Sequence, residues 1–473
     1  METTTRAGSR RNVEERLVEV LNDRLTGAVV RPEDPDFEAA TLIWNGGIAK
    51  RPALVIRAAT TDDIVEAIQF CVEHDLEMSI KGGGHNIAGL ALSDGGVTLD
   101  LSLMRNVEVD VEGRTATVAP GCVLGDVDRE TQKYGLATTL GFVSETGVAG
   151  LTLGGGFGYL TRQFGWTVDD LLEVEMATAD GSMLRASRTE NEGLFWALRG
   201  GGGNFGVVTE FVFRLHEIGP EVTAGLIAWS ADEAAGVTEL FRRVTQSAPR
   251  QLTMAMLMRN APPAPWLPEE HHGKPMIGFV VNHTGTPEEA GADLAEVRSF
   301  GTPWADIIQI KEYAAQQAML DATQPKGMNY YWKSEFVSEL GDEVLATYRA
   351  QVEGLEAPAN QIVLFHIEGA LDEHAEDDGA VGNRDASYAC VIQAMNPVAD
   401  VDASEGNRDW VRAAWQAMKP FSTGGNYINF QTEDEGEERA GEAYRGNMDR
   451  LRRVKSEYDP ENVFSVNRNI KPS

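Results

Sequence analysis

The sequence runs to 473 residues, enough at about 150 residues per domain for two or three domains with cores that need no disulfide staple. Its 73 acidic side chains against 41 basic ones leave a formal charge of −32, which excludes an overall attraction to nucleic acid or to an anionic membrane surface. With 42% hydrophobic and 24% charged residues the composition is that of a globular chain, not a disordered one.

Residues 1 to 45 read as a frayed lead-in with one amphipathic helix, Val13 to Asn22. Ser9-Arg10-Arg11 echoes a twin-arginine signal, but Val13-Glu14-Glu15 follows where an apolar stretch is needed, so a cytoplasmic protein is expected. Leu54-Val55-Ile56 reads as a short buried strand. Thr60 then opens a helix, with Asp63 three residues on at capping-box spacing. Ile64, Ala67, Ile68 and Cys71 recur at helical spacing, which makes Cys71 a core thiol. Glu77 to Lys81 is a strand running into Gly82-Gly83-Gly84-His85. Val97, Leu99 and Leu101 alternate with polar residues as a half-buried strand, and 107–110 and 115–118 form a hairpin around Gly113.

A helix from Leu124 to Tyr134 leads to a glycine-dense stretch between Gly141 and Gly165. Strands from Leu172 to Arg185 turn at Asp180-Gly181, the helix Glu192 to Leu198 meets a second glycine run at 200–206, and Val207 to Leu215 alternates as a strand. At Gly219-Pro220 the texture changes to longer strands (222–229, 252–259, 276–281, 361–368 and 388–395) separated by helices such as Pro287 to Phe300 and Glu343 to Val352. That is a second α+β unit built on one antiparallel sheet. Residues 371–380 form an acidic surface loop. Tyr427-Ile428-Asn429-Phe430, an acidic helix from Glu437 to Tyr458 and an Asp459-Pro460 stop complete the chain. The expected boundaries are 1–45, 46–219, 220–424 and 425–473, without internal repeats.

Three cysteines, Cys71, Cys122 and Cys390, are too few and too scattered for a disulfide framework or a zinc site, and no metal is expected. No apolar run approaches the roughly 18 residues of a membrane span. Only 10 of the basic residues are Lys. A diffuse acidic excess with little Lys is the balance expected in concentrated salt, where screening makes close carboxylates tolerable.

The run Gly201 to Gly206 satisfies G-x-G-x-x-G, but a helix precedes it and a strand follows, the reverse of the order a dinucleotide fold needs. Gly82 to His85 follows a strand but opens no helix, and no Walker lysine with its Ser or Thr is present. Glycine permits positive φ and close backbone approach at an entropic cost of about 1 kcal/mol. Three glycine-rich turns in one β-rich domain are therefore either tight turns in a crowded fold or nests for a large phosphate-bearing cofactor. His271-His272 lie in a Pro/Glu loop and read as surface residues. His366 and Glu368 lie two apart on one strand and so share a face, one that lines a pocket or meets solvent.

Lys81-Gly-Gly-Gly-His85-Asn86, Gly154-Gly155-Gly156-Phe157-Gly158, Tyr427-Ile428-Asn429-Phe430 and the tail from Lys455 through Asn462, Asn467 and Asn469 to Pro472 resemble the berberine-bridge-enzyme-like flavoprotein oxidases. These belong to the vanillyl-alcohol oxidase (p-cresol methylhydroxylase) superfamily, and the resemblance covers roughly residues 40 to 473. Tyr330-Tyr331-Trp332-Lys333-Ser334 looks like the bacterial and archaeal branch. The resemblance implies an α+β fold with a two-part p-cresol-methylhydroxylase-type FAD-binding domain. A second domain, an antiparallel sheet covered by helices, then holds the substrate, and a C-terminal segment returns to the first domain.

The resemblance also implies bound FAD, linked covalently as the 8α-histidyl form through His85. Its contacts map to Lys81, Gly82, Gly83, Gly84 and Asn86, to Thr146, Gly147, Gly150, Gly154, Gly155, Gly156 and Gly158, and to Val207, Asn429, Asn467 and Asn469. Many relatives attach flavin a second time through a cysteine; here that position is Val143, so a single link is expected. Thr146 holds the position that gates oxygen in relatives. Tyr427 maps to the proton-accepting tyrosine, whose ordinary pKa near 10 the site must lower for work at neutrality. Gln393 maps to a substrate-facing Gln or Glu; it cannot act as a base but can orient an oxygen. Phe157 stands where some relatives place a tyrosine. The expected activity is oxidation of an alcohol or a sugar hydroxyl, with O2 as acceptor. A dehydrogenase with another acceptor, or a flavin-free binding protein of the same fold, are the alternatives.

Overall fold

In the computed structural model, which describes residues 1–473 except 354 and 356, the N-terminal residues are not a loose lead-in. Glu2–Thr4 pairs antiparallel with Arg10–Asn12, and Thr5 bridges Leu76. Ala28–Val30 joins the first sheet as an antiparallel edge beside Leu54–Arg57, so this domain begins before residue 46. These segments are short and carry little apolar alternation, so periodicity does not find them.

In that four-stranded sheet Val97–Asp100 lies between two parallel neighbours, Leu54–Arg57 and Met78–Lys81. The half-buried reading of Val97–Asp100 is wrong, because all four of its residues are buried. Parallel strands are covered on both faces. The polar positions survive there by pairing: Thr98 meets the Ser79 hydroxyl at 2.9 Å, and Asp100 accepts from the Lys81 ammonium at 3.3 Å. The helix Thr61–Glu73 starts with the full capping box expected of Thr60 and Asp63, and Cys71 lies in its core with the thiol pushed up to about 12 by burial.

Five antiparallel strands form the second sheet, in the order Met183–Ser187, Leu171–Ala177, Val207–Arg214, Thr115–Val118 and Val107–Asp110. The C-terminal segment packs on its core. The expected single helix from Glu437 breaks into Glu437–Tyr444 and Met448–Tyr458 at Arg445, whose φ is +48°, and Tyr444 and Leu451 both enter that core. Lys455 is fully buried; it donates to Asp459 at 2.6 Å, to the Asn204 carbonyl at 2.7 Å and to the Phe464 carbonyl at 3.1 Å. Asp459 in turn accepts from the amides of Val463 and Phe464, at 2.8 and 2.9 Å. Removing one member of a buried, fully bonded pair strands the other charge. Lys455→Met is therefore expected to cost about 3–5 kcal/mol, read as a lowered midpoint in denaturant melts. An unchanged midpoint would show that the tail is not tied down by this pair.

The third sheet has eight antiparallel strands, with Glu221–Ser230, Pro275–His283, Leu252–Asn260, Gln361–His366, Tyr388–Asn396 and Asn329–Val337 in spatial order from the edge formed by Ala305–Asp306 and Gln309–Glu312. One face is covered by the helices Ala234–Ser247, Asp342–Ala350 and Val401–Met418. The expected helix from Pro287 to Phe300 is two short helices, Pro287–Asp293 and Ala295–Ser299. The other face looks toward the glycine-rich turns of the first domain. On Gln361–His366 the pleat sends Ile362 and Leu364 into the helix-covered core, and Gln361, Val363 and Phe365 to the opposite side. His366 therefore faces away from the cavity. It is 1% exposed, bonds Glu368 at 3.0 Å, and burial pushes its pKa down to about 4. Among the described residues no helix is long and apolar enough to cross a membrane.

Candidate active site

A cavity of about 370 Å³ lies between the glycine-rich turns and the open face of the large sheet. Its first wall is the turn after Met78–Lys81. Gly83 and Gly147 pack backbone to backbone: a Cβ on Gly83 would lie 2.5 Å from the Gly147 nitrogen, and one on Gly147 would lie 2.4 Å from the Gly83 nitrogen. Only glycine allows that approach. The N–H groups of Gly83, Gly84, His85 and Asn86 donate to no acceptor among the described residues, which leaves free donors in a turn that lines the cavity.

His85 follows directly. Its ring stacks on Trp44 with centroids 4.3 Å apart and 15° between planes, and Trp44 stacks in turn on Tyr330 at 3.6 Å. Nε2 of His85 is shielded from water and has no hydrogen-bond partner among the described residues. Burial pushes its pKa down to about 4, so the imidazole is neutral at physiological pH.

The opposite wall is the sheet. The register sets Arg259, Gln361, Gln393 and Trp332 side by side across four strands, and all four line the cavity. Two residues further along the same face lie Leu257, Val363 and Val391, an apolar row, and beyond it Ala255 and Phe365. Phe142 covers this part, stacked on Phe365 at 4.6 Å.

Tyr427 sits among Phe157, Phe430 and Trp166, with centroids 5.1, 4.8 and 6.2 Å away, and is 4% exposed. Its hydroxyl oxygen accepts from the Gly156 N–H at 2.9 Å and from the Asn429 amide at 3.0 Å. Gly154 makes room for Asn429, since a Cβ there would lie 2.2 Å from Oδ1. The expectation that the site lowers the Tyr427 pKa is reversed. Burial pushes it up to about 12, and the two donors offset only part of that cost.

Of the positions singled out in the sequence, the fold brings Gly82, Gly83, Gly84, His85, Asn86, Thr146, Gly147, Gly150, Gly154, Gln393, Tyr427, Asn429 and Asn467 to the cavity wall, with Val143 among them. It does not bring Lys81, Gly155, Gly156, Gly158, Val207 or Asn469 there. Lys81 turns into the first sheet, toward Asp100 and the Ala40 carbonyl. Gly155 and Gly156 take φ of +116° and +80° to shape the turn under Tyr427, and Gly158 packs on the Leu140 carbonyl. Val207 lies in the core beneath the first sheet. Asn469 leaves a buried Oδ1 without a partner, off the wall. Trp44, Arg259 and Gln361 were not visible to motif reasoning, because each sits alone in its own segment.

Three potential ligand groups, Asp169, His374 and Asp378, converge elsewhere, but Arg384 already grips Asp169 at 2.8 and 3.0 Å and Arg199 reaches Asp378 at 3.2 Å. The cavity wall holds no Asp or Glu among the described residues, in a chain of net charge −32. Free N–H donors, an acid-free wall, an unpartnered imidazole nitrogen and glycine contacts that a Cβ would block together suit FAD, with its pyrophosphate and large flat ring.

Residues 52–187 match the family model of the FAD binding domain, and residues 426–471 match the model described as berberine and berberine like. The chain is 30% identical over 464 residues to (R)-6-hydroxynicotine oxidase of Paenarthrobacter nicotinovorans, covering 95% of this chain and 97% of that one. It is 28% identical to glucooligosaccharide oxidase of Sarocladium strictum over 96% of this chain and 94% of that one. The crystal structure of 6-hydroxy-D-nicotine oxidase from Arthrobacter nicotinovorans superposes with a TM-score of 0.83 at 27% identity, covering 98% of this chain and 100% of that chain.

Proposed function

Because this chain belongs to the FAD-linked oxidoreductases that carry a berberine-like C-terminal segment, we propose that it oxidises an alcohol, with FAD tied to the protein through His85 and O2 as electron acceptor. One observation carries the reading: the water-shielded Nε2 of a neutral His85, unpartnered among the described residues, at the end of a glycine turn that lines the cavity with free amides.

When bound, FAD supplies the two-electron acceptor for the hydride of the substrate C–H bond. The chain's own residues supply the rest. Tyr427 is the base that takes the hydroxyl proton. It does so as the phenolate, its own proton already released to solvent, and the Gly156 N–H and the Asn429 amide both donate to its oxygen and hold that charge until the substrate proton arrives. Gln393 carries no charge to exchange, and its amide orients the substrate oxygen. Phe142, Phe365, Val363 and Leu257 exclude water from the space between.

Those walls favour an apolar or aromatic alcohol over a sugar, whose hydroxyls would lose their bonds to water there with few replacements. Of the two substrate classes in the relatives' names, hydroxynicotine and a glucooligosaccharide, the walls favour the first. The test is anaerobic mixing of the purified yellow protein with a panel of benzylic alcohols, followed by air. Bleaching and then rapid return of the colour are expected. A return slower than turnover would assign the electrons to another carrier, and no bleaching by any alcohol would sink the alcohol reading.

A further inference from the structure

The polar end of the cavity has an unusual composition. Arg259 stands at the end of the row that continues through Gln361 and Gln393 to Trp332, on strands paired in register. Its guanidinium donates only to neutral acceptors: the Asn260 carbonyl at 3.1 Å, Gln361 Oε1 at 3.3 Å and the Pro358 carbonyl at 3.4 Å. Among the described residues no carboxylate comes within ion-pair distance of it, although most arginines of this acidic chain have one. Burial lowers its pKa from the usual guanidinium value, but a guanidinium remains charged in a protein. At the far end of the row the Trp332 indole N–H is buried without a partner among the described residues, and Trp266 also lines the cavity.

Two arginines line the cavity, and none of the described lining residues is acidic; Arg468 is taken up by the carbonyls of Gln431, Thr432 and Glu435, whereas Arg259 stands in the row that leads to Gln393, where an anion would answer its charge. We propose that the substrate of this enzyme carries a carboxylate, bound by Arg259 and Gln361, on an aromatic or otherwise apolar frame whose hydroxyl is presented to Gln393 and Tyr427. The proposal rests on the oxidoreductase reading and adds the class of molecule it acts on. The dimensions agree. Arg259 and Gln393 are two strand spacings apart, about 10 Å at roughly 4.8 Å per strand. A single six-membered ring with substituents at opposite ends fills that interval once both side chains reach inward. The apolar row of Leu257, Val363 and Val391 receives the ring, and a planar guanidinium suits a planar carboxylate.

The test uses two probes that differ only in charge, 4-(hydroxymethyl)benzoate and 4-(hydroxymethyl)benzamide. Each is titrated into the holoenzyme by tryptophan fluorescence, since Trp266 and Trp332 face the cavity, and each is then scored for anaerobic flavin bleaching. The acid is expected to bind about 10- to 100-fold more tightly than the amide, the worth of a charge-assisted pair. Arg259→Met should abolish that preference by weakening the acid alone, and Arg259→Lys should restore part of it. An unchanged flavin spectrum checks that each variant is folded. Equal binding of acid and amide by the native protein, no saturable binding of the acid, or equal weakening of both by Arg259→Met would overturn the proposal. A colourless preparation would sink the oxidoreductase reading alone. The fluorescence titration needs no flavin, so a preference for the acid there would still support the anion subsite and its absence would still overturn it.

Discussion

Protein carrying His85→Ala is expected to lose its colour completely on acid precipitation, while the native pellet stays yellow. A neutral imidazole with a free nitrogen is the form that can bond to carbon, and His85 is held in that form: its pKa is pushed down to about 4, first by burial and then by the charge of Lys326. The stack on Trp44 fixes the ring plane, and no hydrogen bond competes for Nε2 among the described residues. Val143 lies on the wall but has no nucleophile, and Cys122 donates its thiol to the Asn106 carbonyl with its pKa pushed up to about 11 by burial and the Asp126 charge. A yellow pellet from His85→Ala would place the bond elsewhere, and a colourless native pellet would mean that no such bond exists. Because the readout is colour in denatured protein, it is independent of catalysis.

Tyr427→Phe is expected to lower the turnover of a bound alcohol by about 10²- to 10⁴-fold, roughly 3–5 kcal/mol of barrier, with little change in flavin content. The phenyl ring keeps its contacts with Phe157 and Phe430, so only the hydroxyl and its two donors are lost. The pH profile separates catalysis from packing. With a pKa pushed up to about 12, the ionised fraction of Tyr427 rises by about tenfold per pH unit throughout the neutral range. Native kcat/KM should therefore climb with pH toward the alkaline limit, and the climb should vanish in Tyr427→Phe. A variant that retains both rate and slope would remove Tyr427 from the chemistry.

The cofactor side of this site was legible in the sequence because its parts are contiguous. A glycine run ending in histidine, a second glycine cluster and a Tyr-x-Asn triplet each keep their meaning wherever the chain carries them, since backbone N–H groups and close approach are local properties. The capping box at Thr60 and Asp63 was legible for the same reason. Where a second layer of structure intervenes, the reading failed. Thr98 and Asp100 looked solvent-facing by alternation and are buried by parallel neighbours on both sides. His366 looked available to a pocket until the pleat set it on the helix-covered face.

The motifs, through the family they resemble, thus determined the class of the molecule, an FAD-linked oxidoreductase, and composition determined its acidity. The direction of the Tyr427 pKa and the chemistry of the substrate end were decided by tertiary structure alone. Desolvation depends on everything packed around a group. The row formed by Arg259, Gln361, Gln393 and Trp332 exists only through the register of four strands far apart in the chain, which leaves no period or spacing for the sequence to display.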